Sequence, residues 1–522
     1  MKIINKIKRK TVGSRKNALR LEYIDYYRNL PLEKAVFVEA RNGKEIDGNN
    51  YYVLKELLSN PQYSGYRIYV STEDGVAGKI RNKIDKMGLA DAEYFIVTVD
   101  SSEYYKAIAT SEYIVCDATL KNFFMKRECQ VYLNVWHGTP FKVMGRKVAH
   151  EPHATGNAQK NFVAADYLLY PNEYMMDHMV EDYMISDISP AKAVLGGYPR
   201  NSAFFDNAKR DEIRRSQNLE GKRIYVYMPT HRPELMGSAL NNILDEMDAL
   251  LNSGEKDTEE ILFAKIHPLA ADDVDFSRFR NIRAFPAEYE TYEFLNVADC
   301  LITDYSSVFY DFAVTGRKIV LYTYDEEEYL STRGLYSPMS SLPFVQVKTV
   351  TDTINQARTP KEYDDSAFIA EYCSYDSADA TKNLCSLVFG SESSASSQLK
   401  LSPVASNGLP NIMVYAGKLS TPDEIEAATE YLAKADTNEA NYYLVFNRGD
   451  VKDNFSFLLN LPEDIRYFGR AGKMAPPING KSYSSEDFRL EWLRCFDRMP
   501  VSEIVMLKED DSQLCSLLKW KH

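Results

Sequence analysis

Short apolar runs rich in β-branched and aromatic residues recur along the first part of the chain, and each is followed by a polar segment of helical length. The runs are KAVFVEA, YRIYVST, YFIVTVD, YIVCDA and QVYLNVW, between residues 34 and 136. Continuous apolar runs of this length are typical of strands buried on both faces, and the intervening helical patterns indicate βαβ units. The pattern therefore predicts a parallel sheet with helices on both faces.

The same alternation restarts between residues 223 and 325, with the runs RIYVYMP, ILFAKIHP, DCLITDYSS and KIVLYTYD. It predicts a second doubly wound domain, and two such domains in series enclose a cleft at the carboxyl ends of their strands, where nucleotides usually bind. This is the GT-B arrangement of an α/β protein, with two Rossmann-like domains facing a cleft. The turn-rich segment GGYPRNSAFF separates the domains, which we place at residues 31–203 and 204–390.

A Ser-rich stretch with little apolar content follows, and residues 391–410 are predicted to form a flexible linker. Residues 411–522 resume strand-like runs, which predict a smaller C-terminal α/β domain. Its start is similar to the first half of a nucleotide-sugar glycosyltransferase, but no second half follows. We therefore expect this domain to bind a substrate or a partner, or only to pack against the rest.

The charge is distributed unevenly along the chain. The 522 residues carry a formal net charge of −13, but the first 20 contain eight Lys or Arg and no acid, which leaves −21 for the remainder. An acidic body argues against nucleic-acid binding. Residues 1–30 form a basic amphipathic segment, and residues 1–20 are expected either to lie on an anionic membrane or to form a solvated arm.

No apolar run is long enough for a transmembrane helix, and the start of the chain lacks the apolar stretch of a secretion signal. We therefore expect a cytoplasmic protein, peripheral on the inner face of the cell membrane. The seven cysteines include no CxxC pair, and no Cys/His group has zinc-ligand spacing. Reduced thiols, no metal and no cofactor are expected.

Candidate catalytic chemistry begins at the motif NVWHGTPFK, where a predicted strand runs into His137. The next residue, Gly138, allows a ligand to approach the backbone closely. Histidine is the commonest general base near neutral pH, so His137 is a candidate base facing the cleft. The alternative is a histidine that only caps the strand or packs under Trp136.

Two further strands end in groups that suit a phosphate. The motif YMPTHR provides Thr230 and Arg232, and the planar fork of donors on arginine matches phosphate oxygens. A surface salt bridge is the alternative role for Arg232. The motif FAKIHP places Lys265 and His267 two residues apart, on the same side of an extended strand end, so both can face one anion.

The motif LITDYSSVFYDFA is the most informative of the four. A strand ends at Asp304, and Ser306 and Ser307 then open a helix. Free amides at a helix start, together with two hydroxyls, predict a phosphate cradle. A plain N-cap role would explain Ser306, but neither Ser307 nor Asp304.

In this order the motifs resemble those of the CDP-glycerol glycerophosphotransferase family, which includes the poly(glycerol phosphate) and poly(ribitol phosphate) polymerases of wall teichoic acids. The resemblance covers roughly residues 110–390 and rests on WHGTPFK, NFVAADYLLYPN, GYPRN, MPTHR, KIHP, LITDYSSVFYDFA and DEEEYLSTRGLY. Seven motifs in order are specific, whereas any one of them alone would be weak.

The resemblance implies an inverting, metal-independent transferase. A hydroxyl of a cell-surface polymer, or of its lipid-linked precursor, attacks the β-phosphorus of CDP-glycerol or CDP-ribitol, and CMP leaves. The implied catalytic residues are His137, as the base, and His267. The implied donor-binding residues are Thr230, Arg232, Lys265, Asp304, Ser306, Ser307 and Asp311. Phosphoryl transfer needs mainly positioning and positive groups, which agrees with this set.

The chain departs from the family at two places. Arg146 and Lys147 follow the WHGTP motif where the family usually has an acidic residue, and SPMSSLPF follows RGLY in place of a Pro-Gly-Pro turn. These departures indicate a different acceptor, a more anionic one, or a different polyol, with Lys142 and Arg146 as candidate acceptor-binding residues. Two alternatives stay open: a GT-B glycosyltransferase using a UDP- or GDP-sugar, and a non-catalytic relative that binds nucleotide or polymer.

Overall fold

The computed structural model describes residues 2–522 except 90–91, 233–234, 254–258, 268–273, 333 and 391–395, with side chains described from Arg15 onward. Its described strands form three sheets, each flanked by helices. The two larger sheets have carboxyl ends that contribute to a common cleft, and the smallest sheet packs on the outside of the first.

The first sheet consists, within the described ranges, of eight strands: β1 Glu33–Glu39, β2 Arg67–Thr72, β3 Phe95–Thr98, β4 Ser111–Cys116, β5 Val131–Asn134, β6 Tyr167–Tyr170, β7 Lys192–Leu195 and β14 Lys400–Pro403. The spatial order is β14-β7-β6-β5-β4-β1-β2-β3, and only β14 is antiparallel to its neighbour. The apolar runs of the sequence occupy the centre of this sheet, where Phe37 and Ile114 are completely buried. The helices of this unit are α1 Lys2–Asn29, α2 Gly48–Ser59, α3 Ala77–Asp85, α4 Ser102–Thr110, α5 Gly156–Ala164 and α6 Glu173–Asp182.

Helix α1 joins the basic start of the chain to the core of the first unit. Its second half packs against α4, and Leu19, Tyr23 and Ile24 are buried there. The hydroxyl of Tyr23 donates to the carbonyl oxygen of Met125 at 2.9 Å. No helix in the described part of the chain combines the length and the apolar content needed to cross a bilayer.

The second sheet consists, among the described residues, of six parallel strands: β8 Arg223–Met228, β9 Glu260–Ala264, β10 Ile282–Ala284, β11 Cys300–Thr303, β12 Lys318–Tyr322 and β13 Val345–Val347. Their order, β10-β9-β8-β11-β12-β13, is that of a dinucleotide-binding fold. Successive strands are added first on one side of β8 and then, from β11 onward, on its other side. The helices of this unit are α7 Asn207–Ser216, α8 Gly237–Asn252, α9 Thr291–Leu295, α10 Val308–Phe312, α11 Glu326–Thr332 and α12 Val350–Arg358.

Buried polar contacts between α2 and α9 fix the two units against each other. Tyr52 donates to Glu290 at 2.7 Å, and the hydroxyl of Thr291 donates to Asp47 at 2.6 Å. Burial and the neighbouring Asp47 raise the pKa of Glu290. Because breaking these contacts would leave polar groups unsatisfied in the interior, they hold the cleft in one geometry.

The chain returns to the first unit earlier than the sequence predicts. Two helices, α13 Ser366–Tyr372 and α14 Ala380–Cys385, follow the second sheet, and Phe389 then packs against Tyr63 and Tyr113 of the first unit at centroid distances of 5.8 and 5.1 Å. The predicted linker, residues 391–410, also differs: residues 391–395 lie outside the described residues, and β14 within it extends the first sheet. Apolar side chains in the described part of this segment pack against the first unit.

The third sheet has the strands β15 Asn411–Ala416, β16 Asn441–Asn447, β17 Arg466–Arg470 and β18 Glu503–Lys508, with the helices α15 Pro422–Ala433, α16 Arg448–Val451, α17 Ser485–Phe496 and α18 Gln513–Lys521. Its order is β17-β16-β15-β18, and its described pairings are parallel. It packs on α5 so closely that a Cβ on Gly156 would lie 1.5 Å from the carbonyl oxygen of Gly469. This unit therefore packs on the first unit.

Candidate active site

The loop after β5 carries His137, and the loop after the neighbouring strand β4 holds it in place. Nδ1 of His137 lies 2.7 Å from the carbonyl oxygen of Asp117. Because a carbonyl oxygen can only accept, Nδ1 carries the proton and Nε2 keeps its lone pair. The ring also stacks on Trp136 with a centroid distance of 4.5 Å, so the packing contact that the sequence offered as an alternative is present as well.

The surroundings of His137 keep its imidazole neutral. Desolvation by the cleft walls lowers its pKa below the ordinary 6.5, the hydrogen bond to Asp117 opposes this, and the positive charges of Arg41 and Arg200 lower it further. His137 is nevertheless exposed as a residue. A neutral, reachable imidazole with a free lone pair is what a general base requires.

Arg200 connects the His137 loop to the second unit. Its Nη1 donates to the carbonyl oxygen of His137 at 2.8 Å, and its Nη2 donates to both carboxylate oxygens of Asp311 at 3.0 and 2.8 Å. A Cβ on Gly138 would lie 3.1 Å from Oγ of Ser307. The fold thus brings the candidate base together with the serine pair of the other unit.

Arg232 and Asp304 form a buried ion pair, which differs from the expectation that they contact the donor. Nη1 of Arg232 lies 2.6 Å from Asp304, and its Nε lies 2.5 Å from Asp325. Asp304 also accepts the backbone N–H of Thr230 at 2.8 Å. Two carboxylates neutralise the guanidinium, so the group shapes the loop after β8 and leaves little charge for a phosphate. The hydroxyl of Thr230 is buried, with no hydrogen-bond partner among the described residues.

Ser306 and Ser307 lie at the end of β11, in front of α10. Ser307 occupies the N-cap, yet its hydroxyl makes no capping hydrogen bond. Neither hydroxyl is engaged by a described residue, and both side chains are partly exposed. Helix α10 has only five residues. Its dipole is therefore small, and the two hydroxyls contribute more to an anion site here than the helix start does.

Lys265 and His267 follow β9 on the same side of the second sheet. His267 stacks on His231 with a centroid distance of 4.2 Å, and both side chains are exposed. Desolvation, His231 and the positive charge of Arg41 lower the pKa of His267. Nζ of Lys265 lies 4.8 Å from the ring centroid of Phe285. This end of the site provides one ammonium group and two stacked imidazoles.

Three of the predicted residues have structural partners where substrate contacts were expected. Asp311 is only 3% exposed, and its carboxylate accepts hydrogen bonds from Arg200 and Tyr292. Lys142 bridges by its backbone to Leu335 and lies over the ring of Tyr329. Arg146 donates to the carbonyl oxygen of Glu463 in the third unit at 3.1 Å. These contacts secure the loop that follows His137.

Sequence reasoning missed Arg41, Asp117 and Arg200 and assigned no role to His231. Arg200 lies in the motif GYPRN and His231 in MPTHR, so their neighbourhood was marked although their roles were not. Asp117 directly follows β4, and its position beside a strand end was an available signal. Arg41, two residues after β1, offered the same signal, but only the adjacency of β1, β4 and β5 in the sheet brings it near His137.

The third unit has no corresponding anion site after its first strand. Oε2 of Glu424 accepts the backbone N–H groups of Ser420 and Thr421 at 2.9 and 3.1 Å, and Oε1 accepts that of Lys418 at 3.3 Å. In Rossmann-like units this strand-to-helix turn is where a phosphate binds. The carboxylate occupies these donors, so nucleotide binding at this turn is blocked.

Comparison with known proteins places the chain in a family. The family model described as CDP-Glycerol:Poly(glycerophosphate) glycerophosphotransferase matches residues 24–390. A teichoic acid poly(glycerol phosphate) polymerase of Staphylococcus epidermidis is 26% identical over 382 residues, which cover 68% of this chain and 50% of that protein. One from Bacillus spizizenii is 26% identical over 379 residues, covering 69% of this chain and 92% of that protein.

A solved structure agrees with this relationship. The structure of the wall teichoic acid polymerase TagF is similar with a TM-score of 0.61 and 25% identity, over 74% of this chain and 96% of that chain. The predicted GT-B fold is thereby confirmed. The chain spans only half the length of the S. epidermidis relative. From its matched residues, its motifs and its fold, the chain belongs to the CDP-glycerol:poly(glycerophosphate) glycerophosphotransferase family.

Proposed function

We propose that the protein transfers glycerol phosphate, or a related polyol phosphate such as ribitol phosphate, from a CDP-activated donor to a hydroxyl of a cell-surface polymer or its lipid-linked precursor. The observation that carries this proposal is the approach of the His137 loop to the second unit, where a Cβ on Gly138 would lie 3.1 Å from Oγ of Ser307 and no described residue engages the hydroxyls of Ser306 and Ser307. A base on one side and hydroxyls suited to a phosphate on the other are the minimal parts of an in-line phosphoryl transfer.

The proposed reaction gives each of these groups one role. The acceptor hydroxyl attacks the β-phosphorus of the donor, Nε2 of His137 takes its proton, and the bond from this phosphorus to the CMP oxygen breaks. Asp117 keeps the imidazole in the tautomer that can accept this proton. Lys265 and His267 lie on the donor side and stabilise the negative charge that accumulates on the leaving phosphate.

Nucleotide release tests this proposal. Purified protein is incubated with CDP-glycerol, CDP-ribitol, UDP-glucose or GDP-mannose and a lipid-linked acceptor, and the released nucleotide is quantified. We expect CMP from a CDP-polyol, and the more productive polyol identifies the natural donor. Release of UDP or GDP instead would move the protein to the sugar transferases and overturn the proposal.

The lowered pKa of His137 predicts the pH dependence of turnover. The neutral imidazole is the active form, so activity is present above the folded-state pKa and is lost as the pH falls through it. We expect kcat/KM to remain level from pH 8 down to about 6, because the acid limb of the profile lies below the ordinary histidine value. A limb centred at or above 6.5 would contradict the assignment.

Asp117 needs a control in this experiment, since burial raises the pKa of its carboxyl to about 6. The Asp117→Asn variant removes that titration but keeps the carbonyl oxygen that holds His137. An acid limb that persists in this variant belongs to the histidine.

We also propose that α1 places the protein on an anionic membrane, at the inner face, where a lipid-linked acceptor would lie. The helix is continuous from Lys2 to Asn29, its second half is anchored in the core, and Arg15 and Lys16 are exposed. The side chains of residues 1–14 lie outside the described set. Each Lys or Arg near such a surface contributes about 1 kcal/mol of binding.

Deleting residues 1–14 is expected to lower the affinity for anionic vesicles by at least about tenfold at low salt, because it removes five of the eight cations. High salt should remove the difference, since exposed charges are screened. Cosedimentation with anionic and zwitterionic vesicles measures this. The melting temperature should change little, because the core contacts of the helix among its described side chains begin at Leu19, which the deletion keeps. Unchanged partitioning would rule out the membrane role.

A further inference from the structure

Arg41 occupies the carboxyl end of β1 in an unusual backbone conformation. Its φ is 49°, and the next two residues, Asn42 and Gly43, also have positive φ values of 56° and 84°. Left-handed conformations of this kind cost about 1 kcal/mol or more for a residue with a Cβ and are retained where the surroundings impose them. Here the backbone N–H of Arg41 donates to the carboxylate of Asp117 at 2.9 Å.

Asp117 therefore organises two groups at once. Its carboxylate holds the backbone of Arg41, and its carbonyl oxygen holds Nδ1 of His137. The three strands that carry these residues are neighbours in the order β5-β4-β1. The tight turn after β1 thus projects the side chain of Arg41 at the same edge of the sheet as the candidate base.

The guanidinium of Arg41 is exposed and, within the part of the chain that the structure describes, has neither a hydrogen bond nor an ion pair. The other two arginines near the site are neutralised, Arg200 by Asp311 and Arg232 by Asp304 and Asp325. The positive charge of Arg41 lowers the pKa of His137, which lies in the same unit, and the pKa of His267, which lies in the second unit. Arg41 is thus a cation that lies near the carboxylate of Asp117 without forming an ion pair with it, and its charge acts on both histidines.

We propose that Arg41 binds the phosphoryl group that is transferred, with its planar fork on the non-bridging oxygens of the donor's β-phosphate. This inference rests on the proposed function, because it is that reaction which places a phosphorus between His137 and His267. The bond changes are those of the transfer itself, and Arg41 exchanges no proton. It neutralises the charge on the equatorial oxygens as the acceptor oxygen bonds and the CMP oxygen departs.

Charge-neutral substitution tests this role. Arg41→Gln is expected to lower kcat/KM for the CDP-polyol by about 10²-fold or more, with most of the loss in kcat, because the contact strengthens in the transition state. Arg41→Lys should recover part of the loss, since it restores the charge without the fork. Lys44→Gln removes an exposed cation from the same loop and should stay within twofold of the wild type. An Arg41→Gln enzyme within threefold of the wild type would overturn the proposal.

A second measurement separates this inference from the proposed function. Histidine-labelled protein is titrated by NMR, and the pKa values of His137 and His267 should both rise in Arg41→Gln but not in Lys44→Gln. The other charged groups facing these rings, Asp117, Arg200 and His231, are unchanged in both variants. A merely structural Arg41 would leave both titrations in place.

Inorganic pyrophosphate serves as the binding probe that needs no turnover. Its affinity for the wild-type protein, measured by calorimetry, should fall at least about tenfold in Arg41→Gln and remain unchanged in Lys44→Gln. If the wild type releases no CMP from any donor, the proposed function fails, and pyrophosphate binding then decides on Arg41 alone. Equal affinities for the wild type and Arg41→Gln would refute a phosphate-binding role.

Discussion

The His137→Asn variant is expected to lose turnover by about 10³-fold or more while it binds CDP-glycerol within a few fold of the wild type. Asparagine can place its amide nitrogen near the position of Nδ1 and keep the hydrogen bond to the carbonyl oxygen of Asp117. It has no lone pair at the position of Nε2. The acceptor hydroxyl then has no group to take its proton, but the donor contacts on the opposite unit remain.

Single-turnover release of CMP and calorimetric binding of CDP-glycerol separate these two effects. His150→Asn is the matched control, because His150 is an exposed histidine outside the site, and it should retain full activity. If His137→Asn loses donor binding in proportion to turnover, His137 is a donor ligand and the assignment of the base is wrong. If it retains turnover, the base lies elsewhere.

The largest expected effect on stability is that of Asp311→Ala, at about 3–5 kcal/mol of the free energy of unfolding. Arg200 is only 3% exposed and lies 2.8 Å from Asp311. Removing the carboxylate leaves its guanidinium buried without a counter-charge. Tyr292 also loses the acceptor of its hydroxyl, which is 2.9 Å away in the wild type.

Urea denaturation measures this loss. The double variant Arg200→Met with Asp311→Leu should be more stable than Asp311→Ala, because an apolar pair leaves no isolated charge. Asp453→Ala, at an exposed carboxylate, should lie within about 0.5 kcal/mol of the wild type. An Asp311→Ala protein of wild-type stability with a weakened donor affinity would instead support the donor-binding role that the family resemblance implies.

The succession of strands and helices along the chain can be predicted from short stretches of sequence. The alternation of apolar runs and helical segments predicts the two doubly wound units and the third, smaller unit, because burial on both faces of a parallel strand imposes a continuous apolar run. The positions of His137, Ser306 and Ser307 follow similarly, since loops at the carboxyl ends of such strands form the site. These features depend on residues close together in the chain.

Whether a charged side chain in a motif meets the substrate or another residue depends instead on partners far away in the chain. Arg232 and Asp304 have the chemistry of phosphate and sugar ligands, but Asp304 is 72 residues from Arg232 and neutralises it. The same holds for Asp311, which is 111 residues from Arg200. A pattern within a short stretch of sequence cannot reveal ion pairs between residues so far apart in the chain.

By itself, the sequence determined the fold class, the family and the loops that carry the chemistry, because periodicity and short motifs are local properties. Only the tertiary structure decided which cations are neutralised in the interior, as Arg200 and Arg232 are, and which, such as Arg41, have no ion-pair partner among the described residues. The reason is that the charge available at a site is the sum over groups brought together by strand order and domain docking, and that sum is known only once the chain has folded.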